Sequence, residues 1–278
     1  MASRQKKSAP LLTALLAGCL FAGAAGADRG ALPDSTEAAW DAATRLLVDE
    51  AADYFDAAAK QGGQNPRPIN LARAALLLNA QPKTEGNIQA ASALLEGVAS
   101  GNRSDAEGIT ARYLLARISH FHAFHPDRQE AIRRYESLHR ENPEDPLAQS
   151  AAVRAAMLRV YAPGDAESKR ALLTELEGAP PLSDPSARRE MAQLLADGWN
   201  QTLDAPEKAL PHLIEVDRIG LARQTARLDL SLRVAETARI LGDKTVAAKF
   251  YRQFLTEAGR DQRMKLALER LAELEVIP

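Results

Sequence analysis

The sequence of 278 residues has one cysteine, Cys19, and aromatic residues make up only 5% of it. One cysteine excludes an intrachain disulfide, so the fold must be stabilised by its apolar core. The 35 lysine and arginine residues nearly balance the 37 aspartate and glutamate residues, without the basic stripe that indicates nucleic-acid binding. We therefore expect no nucleic-acid partner.

The sequence also lacks the short motifs of common enzymes. It has no G-x-S-x-G, no glycine-rich phosphate loop and no H-E-x-x-H. We therefore predict a protein that is not an enzyme and that uses no cofactor. Missing motifs do not exclude catalysis, so a helical cell-wall-active enzyme, similar to lytic transglycosylases that use a single glutamate, stands as the alternative.

The N-terminal segment differs from the rest of the chain. Three basic residues precede an apolar run over 9–22 that is too short to span a bilayer, and residues 25–27 form an A-x-A cleavage site. The pattern predicts a signal peptide over 1–27, then a short linker over 28–36, and a periplasmic or secreted protein. Removal of the signal peptide takes away three basic residues and no acidic residue, which changes the net charge from −2 to −5.

A second interpretation of this segment involves Cys19. The residues Leu-Ala-Gly-Cys at 16–19 resemble the bacterial lipobox, whose cysteine is lipidated and becomes the N-terminus. Apolar residues follow Cys19, whereas lipoproteins usually continue with polar ones. We favour cleavage after Ala27 and keep a lipoprotein anchored through Cys19 as the alternative, the one case in which we expect a membrane contact.

Alanines recur at 38- or 40-residue spacing along the remaining chain, and most are followed by large apolar residues four and seven positions later. Positions 0, +4 and +7 share one face of an α-helix. The unit at Ala171 breaks the pattern with Glu175 and Gly178. We call these alanines the alanine ladder; they are Ala51, Ala91, Ala131, Ala171, Ala209 and Ala247. The apolar residues at +4 are Phe55, Leu95, Tyr135, Leu213 and Tyr251. Those at +7 are Ala58, Val98, Leu138, Val216 and Phe254.

This period indicates stacked helical hairpins, because alanine lets two helices approach closely and the larger residues fill the gap between repeats. Two units resemble the tetratricopeptide repeat. The residues that match the family are Ser119, Ala131, Tyr135, Leu138 and Pro143 in one unit, and Ala235, Gly242, Ala247, Tyr251 and Phe254 in the other. The resemblance implies an all-α fold over 37–278, a right-handed solenoid of about five hairpins with a C-terminal capping helix. It also implies a non-catalytic scaffold that holds a peptide or protein in a concave groove.

Several helix boundaries follow from local signals. One long helix is predicted over 38–60, a linker over 61–68, and helices that begin at Pro146 and Pro185 after the capping residues Asp145 and Asp184. The terminal helix is predicted to cover the end of the stack with Met264, Leu266, Leu268, Leu271 and Leu274.

Residues on the first helix of two predicted hairpins are the candidate partner-binding residues. In the repeat family the first helix of each hairpin lines the groove, so the resemblance places Tyr113, Arg117, His120, Arg233, Glu236 and Arg239 against the partner. The partner would be another envelope or secreted protein or peptide. The simpler interpretation of the charges over 223–239 is a solvated helix face.

A histidine cluster is the sharpest chemical candidate. His120, His122 and His125 lie close together in sequence, and imidazole is a common ligand of zinc, copper and nickel. On one helix His120 and His122 would point about 200° apart. We therefore predict no metal site and keep a site of these three histidines as the alternative.

Overall fold

A computed structural model describes residues 36–45, 47–60 and 66–275, and all the regular structure in these ranges is helical. The predicted signal peptide with Cys19 and residues 28–35 of the predicted linker over 28–36 lie outside the described residues, and the last linker residue, Thr36, begins the first helix. The α-helices are α1 (Thr36–Thr44), α2 (Val48–Lys60), α3 (Pro66–Asn79), α4 (Glu85–Gly101), α5 (Ala106–Arg117), α6 (Arg128–Glu141), α7 (Pro146–Val160), α8 (Ala166–Gly178), α9 (Pro185–Asp197), α10 (Pro206–Ile219), α11 (Gln224–Ile240), α12 (Lys244–Glu257) and α13 (Met264–Glu275). The predicted all-α class is confirmed.

Two of the helices continue into short π-helical segments. These are Ile118–His122 after α5 and Gly198–Thr202 after α9. π-Helical turns inside helices are uncommon and occur frequently at functional sites. Both segments extend helices that the resemblance assigns as first helices of hairpins.

Contacts between the described helices are local in sequence. The extensive contacts join helices that are neighbours or next but one along the chain, such as α3 with α4, α11 with α12, and α7 with α9. The chain divides into two compact units, residues 1–134 and residues 135–278. Such local packing is typical of helical repeats, while the solenoid and the number of hairpins stay predictions.

Burial follows the alanine ladder closely. Five of the ladder alanines have no exposed surface, and Ala171, whose unit lacks the apolar companions, is exposed. The +4 and +7 companions are all buried, with Tyr135, Tyr251 and Phe254 among the largest side chains that are fully enclosed. The periodicity therefore identified the core of each regular unit correctly.

Three details differ from the sequence-based boundaries. The predicted single helix over 38–60 is two helices, α1 and α2, with a break after Thr44. α3 begins at Pro66, inside the predicted linker, because proline fits the first turn of a helix, where its missing N–H costs nothing. On α13, Leu266 and Leu268 are exposed instead of covering the stack; Ala267, which is fully buried, takes that role with Met264, Leu271 and Leu274.

Capping aspartates fix the starts of α7 and α9 in the second unit. The side chain of Asp145 accepts hydrogen bonds from the backbone N–H of Leu147 and Ala148, and that of Asp184 accepts one from Ala187. Each cap satisfies donors that have no partner within the helix.

In the part of the chain that the structure describes, no helix is both long and apolar enough to cross a bilayer.

Candidate functional site

The first three predicted binding residues lie in the first unit at the end of α5. Tyr113 is buried, with 7% of its surface exposed, so a partner could contact little of it. The Arg117 guanidinium lies 4.7 Å from the centre of the Phe121 ring, a cation–π contact. His120 is half-buried in the π-helical segment, edge-on to Phe121. Their role in binding stays a prediction.

The histidines of the cluster have different surroundings. Burial, together with the positive charges of Arg117 and Lys83, lowers the pKa of His122 to about 4. His125 is exposed in the following loop. Among the described residues, no three His, Cys, Asp or Glu side chains are arranged to hold a metal ion.

The other three predicted binding residues lie on α11 in the second unit, and each is part of an ion pair. Arg233 donates to Asp197 of α9 at 2.6 Å, and Arg239 donates to Glu236 at 2.8 Å. About a third of the Arg233, Glu236 and Arg239 side chains is exposed. The structure therefore brings these residues together on one helix surface that solvent can reach, as pairs and not as free cations.

A regular spacing of 36 residues links this surface to the two preceding first helices. Asp197 stands 36 residues before Arg233, and Tyr161 stands 36 residues before Asp197. Arg154 of α7 and Glu190 of α9, also 36 residues apart, form an ion pair of 3.3 Å. Charged side chains thus pair α7 with α9 and α9 with α11, and we call the surface formed by these residues and Tyr161 the first-helix surface.

Tyr161 is a feature of this surface that the sequence analysis missed. Its side chain is 54% exposed at the end of α7. Partial burial and the carboxylate of Asp197 raise the pKa of its hydroxyl, whereas the charge of Arg233 lowers it, so the three groups lie within electrostatic range of one another. The 36-residue spacing to Asp197 and Arg233 was the signal that could have identified it.

A cleft of about 560 Å³ opens on another part of the second unit. α7 and α9 form its floor, α6 and α10 contribute to its walls, and the end of α8 with the loop over 179–183 forms its lip. The volume lies in the usual range for ligand and peptide pockets. The floor consists of Ala152, Ala155, Ala156, Met191, Ala192 and Leu195.

A buried glutamine fixes the lip of the cleft. Gln149 is 1% exposed, and its amide nitrogen donates to the carbonyl of Pro143 at 2.9 Å and to the hydroxyl of Ser183 at 2.6 Å. Its amide oxygen accepts a hydrogen bond from the backbone N–H of Asp184 at 2.7 Å. The proline-containing loop is therefore tied to the turn before α7, and the cleft is preformed.

Acidic and basic side chains surround the apolar floor. Glu177 accepts hydrogen bonds from the indole N–H of Trp199 and from the ring of His212, both at 2.7 Å. Arg159 pairs with Glu175 at 2.8 Å. Glu177 and His212 thus form a hydrogen-bonded glutamate–histidine pair at the edge of the cleft.

Two buried nitrogens that line the cleft make no hydrogen bond with the described residues. One is Nδ1 of His139, and burial lowers the pKa of this histidine while Glu144 opposes the change. The other is Nε of Arg188, which lies 3.4 Å from Glu215 without the angle of a hydrogen bond.

No protein-family model matches this sequence, and no curated protein is significantly similar to it.

Proposed function

We propose that this chain is a non-catalytic, extracytoplasmic scaffold that binds another envelope or secreted protein through the first-helix surface of its second unit. The signal-peptide pattern of residues 1–27 supports export. The local helix packing and the buried alanine ladder support a helical-repeat fold of the kind that the tetratricopeptide resemblance implies.

The observation that carries the proposal is Tyr161 beside the Asp197–Arg233 pair. An exposed aromatic residue next to a partly buried ion pair is typical of energetic hot spots, where tyrosine and arginine are enriched. The surface offers a partner an apolar ring and a positioned charge pair, which provide affinity and specificity respectively.

The test is partner capture with single-residue variants. The exported protein is used to capture its partner from envelope extract, and the recovered partner is then titrated against the wild type and Tyr161→Ala. We expect Tyr161→Ala to weaken binding at least about tenfold, with helical content and thermal midpoint unchanged. The matched control is Leu268→Ala, which removes a similarly exposed side chain from α13 and is expected to bind normally.

Two results would contradict the proposal. One is equal partner affinity of Tyr161→Ala and the wild type, because the binding surface would then lie elsewhere. The other is turnover of purified peptidoglycan that is lost in Glu177→Gln, because that result would support the enzyme alternative at the glutamate–histidine pair.

A further inference from the structure

Two phenylalanine rings of the first unit are exposed, and each carries a cation on its face. Phe121, in the π-helical segment after α5, is 44% exposed, and Phe124, in the loop before α6, is 54% exposed. The Arg117 guanidinium lies 4.7 Å from the centre of the Phe121 ring, and Nζ of Lys83 lies 5.5 Å from that of Phe124. We call these four residues the phenylalanine patch.

Backbone hydrogen bonds fix the segment that carries both rings. The N–H of Ala123 donates to the carbonyl of Ile118 at 3.0 Å, and the N–H of Asp127 donates to the carbonyl of Ser119 at 2.9 Å. The loop with Phe124 is therefore folded back onto the end of the preceding helix. Two large apolar side chains held in water in this way indicate an interaction surface, because their burial against a partner is favourable.

The patch carries positive charge that the described residues leave uncompensated. Within the described ranges, neither Lys83 nor Arg117 forms an ion pair with a carboxylate, and Nε of Arg117 accepts no partner there for its N–H. The carboxylates nearest to the two loops in sequence, Glu85 and Asp127, accept hydrogen bonds at the starts of α4 and α6 instead. The arginines of the first-helix surface, by contrast, are paired.

His122 links the two halves of the patch. Its ring lies 4.5 Å from the Phe121 ring, centre to centre. Burial and the charges of both Arg117 and Lys83 lower its pKa to about 4, so the two cations lie within electrostatic range of one side chain. At neutral pH the imidazole is therefore uncharged and adds to the aromatic surface.

We infer that the phenylalanine patch is a contact surface for an anionic phospholipid bilayer, with its rings at the boundary between headgroups and acyl chains and its cations on the phosphate groups. Proteins that lie on a membrane combine apolar side chains that enter this boundary with lysine or arginine that attracts anionic headgroups. The inference goes beyond the proposed function, which concerns the second unit. It also adds a contact that the sequence analysis expected only through an acylated Cys19.

A bilayer fits the patch better than an acidic protein does. Phenylalanine has no polar group that a protein partner must satisfy, and hot spots between proteins favour tryptophan, tyrosine and arginine instead. Headgroup phosphates lie directly beside the acyl boundary, so a cation that rests on an apolar ring can pair with a phosphate while the ring is buried. Because a net charge of −5 is expected for the mature chain, approach to an anionic surface requires such a local positive region.

The test measures co-sedimentation of the mature exported protein with phospholipid vesicles. The protein carries Cys19→Ser, so that an acyl anchor cannot contribute. Vesicles of equal parts phosphatidylcholine and phosphatidylglycerol should bind it at least about tenfold more strongly than vesicles of phosphatidylcholine alone, because each cation near an anionic surface adds attraction. Added salt should weaken this binding.

A pair of double variants tests the rings. Phe121→Ala with Phe124→Ala should reduce binding to anionic vesicles at least about tenfold, because the apolar surface that enters the bilayer is lost. The matched control is Leu266→Ala with Leu268→Ala, which removes side chains that are 43% and 53% exposed and should leave binding unchanged. Circular dichroism checks both folds. If the phenylalanine variant is misfolded, Phe124→Ser alone serves, since this residue lies in a loop.

A pair of single variants tests the charge. Lys83→Gln should reduce binding to anionic vesicles about fivefold and leave binding to phosphatidylcholine unchanged. The matched control is Lys249→Gln, because Nζ of Lys249 also lies on an aromatic face, 5.0 Å from the centre of the buried Phe250 ring. Binding should be normal in this control.

Insertion is measured directly with Phe124→Trp. Its fluorescence emission should shift to shorter wavelength when anionic vesicles are added, and the wild type should show no such shift. Four results would overturn the inference: absent or lipid-independent vesicle binding, binding that the double phenylalanine variant retains, equal losses in Lys83→Gln and Lys249→Gln, or emission of Phe124→Trp that vesicles do not change.

An acidic protein as the true partner would give a different result. Poly-glutamate would then bind the wild type with loss in Lys83→Gln, while anionic vesicles would not bind, and the bilayer assignment would be wrong. The proposed function is tested separately, because it stands or falls with the effect of Tyr161→Ala on partner capture.

Discussion

The hydroxyl of Tyr251 on α12 donates a hydrogen bond to the carboxylate of Glu236 on α11. Glu236 also accepts a hydrogen bond from Arg239 at 2.8 Å. Burial, followed by this hydrogen bond and the charge of Glu236, raises the pKa of Tyr251. A residue predicted for partner binding is therefore also part of the contact that holds the last hairpin together, and any variant of Glu236 must be checked for stability.

Replacement of Tyr251 separates its packing from its hydrogen bond. The ring is fully buried, so Tyr251→Ala should lower the free energy of unfolding by about 3–5 kcal/mol. Tyr251→Phe keeps the ring and removes only the hydroxyl, and the loss should be about 1–2 kcal/mol. Urea unfolding of both variants measures these values. An unchanged midpoint in Tyr251→Ala would show that the register of the last repeat is wrong.

Two glycines in the first unit should respond to alanine in opposite directions. A Cβ atom at Gly108 would lie 1.8 Å from the backbone oxygen of Asn102, so Gly108→Ala should destabilise the protein by about 3 kcal/mol or more. Gly97 lies on an exposed position of α4, and a Cβ atom there meets nothing within 4 Å.

Gly97→Ala should accordingly raise the free energy of unfolding by about 1 kcal/mol, because alanine has the higher helix propensity. Thermal unfolding of the two variants side by side checks the pair. Similar midpoints for both would contradict the close approach of the segment before α5 to Gly108.

The ladder itself can be tested with one substitution at two of its positions. Ala209→Leu forces extra volume into a fully buried site and should cost about 1–3 kcal/mol. Ala171→Leu adds the same volume to an exposed site, where the change should stay within about 0.5 kcal/mol. Chemical denaturation gives both values, and a large loss in Ala171→Leu would mean that α8 occupies the regular place of a second helix.

Stability should fall in mild acid because of His122. Its pKa is lowered from 6.5 to about 4 in the folded state, so the unfolded chain binds the proton more readily between these values. The stabilisation is present above pH 6.5 and is lost as the pH falls towards 4. Since the ring is only half-buried, the loss attributable to His122 should be of the order of 1–2 kcal/mol.

The comparison of wild type with His122→Gln isolates this contribution. Unfolding free energies measured from pH 7.5 to pH 4 should fall less steeply in the variant, and the difference between the two curves should develop between pH 6.5 and pH 4. Parallel curves over this interval would contradict the buried, unprotonated state of His122.

The core was predictable from the sequence because its determinants are local. The ladder and its companions repeat on one helix face, and aspartates before Pro146 and Pro185 mark helix starts. The break after Thr44 was missed because alanine-rich sequence is compatible with a continuous helix. The exposure of Leu266 and Leu268 was missed because α13 buries Ala267 in their place.

The cleft was beyond such reasoning, although the sequence contained a sign of it. Its floor consists mainly of ordinary alanines, and only the arrangement of α6, α8 and α10 around them in three dimensions forms a cleft. The irregular unit at Ala171, with Glu175 and Gly178 at the companion positions, indicated that this second helix packs differently. The irregular unit of the ladder is thus also the unit whose second helix lies at the edge of the cleft.

The last prediction concerns the N-terminus of the exported protein. The A-x-A pattern at 25–27 predicts cleavage after Ala27 and a mature chain that begins at Asp28 without any cysteine. Intact-mass analysis of the exported protein should give the mass of residues 28–278, and a thiol-specific reagent should leave that mass unchanged. A mass that corresponds to a start at Cys19 with attached acyl chains would instead place the scaffold at a membrane surface, because two or more acyl chains anchor a protein stably.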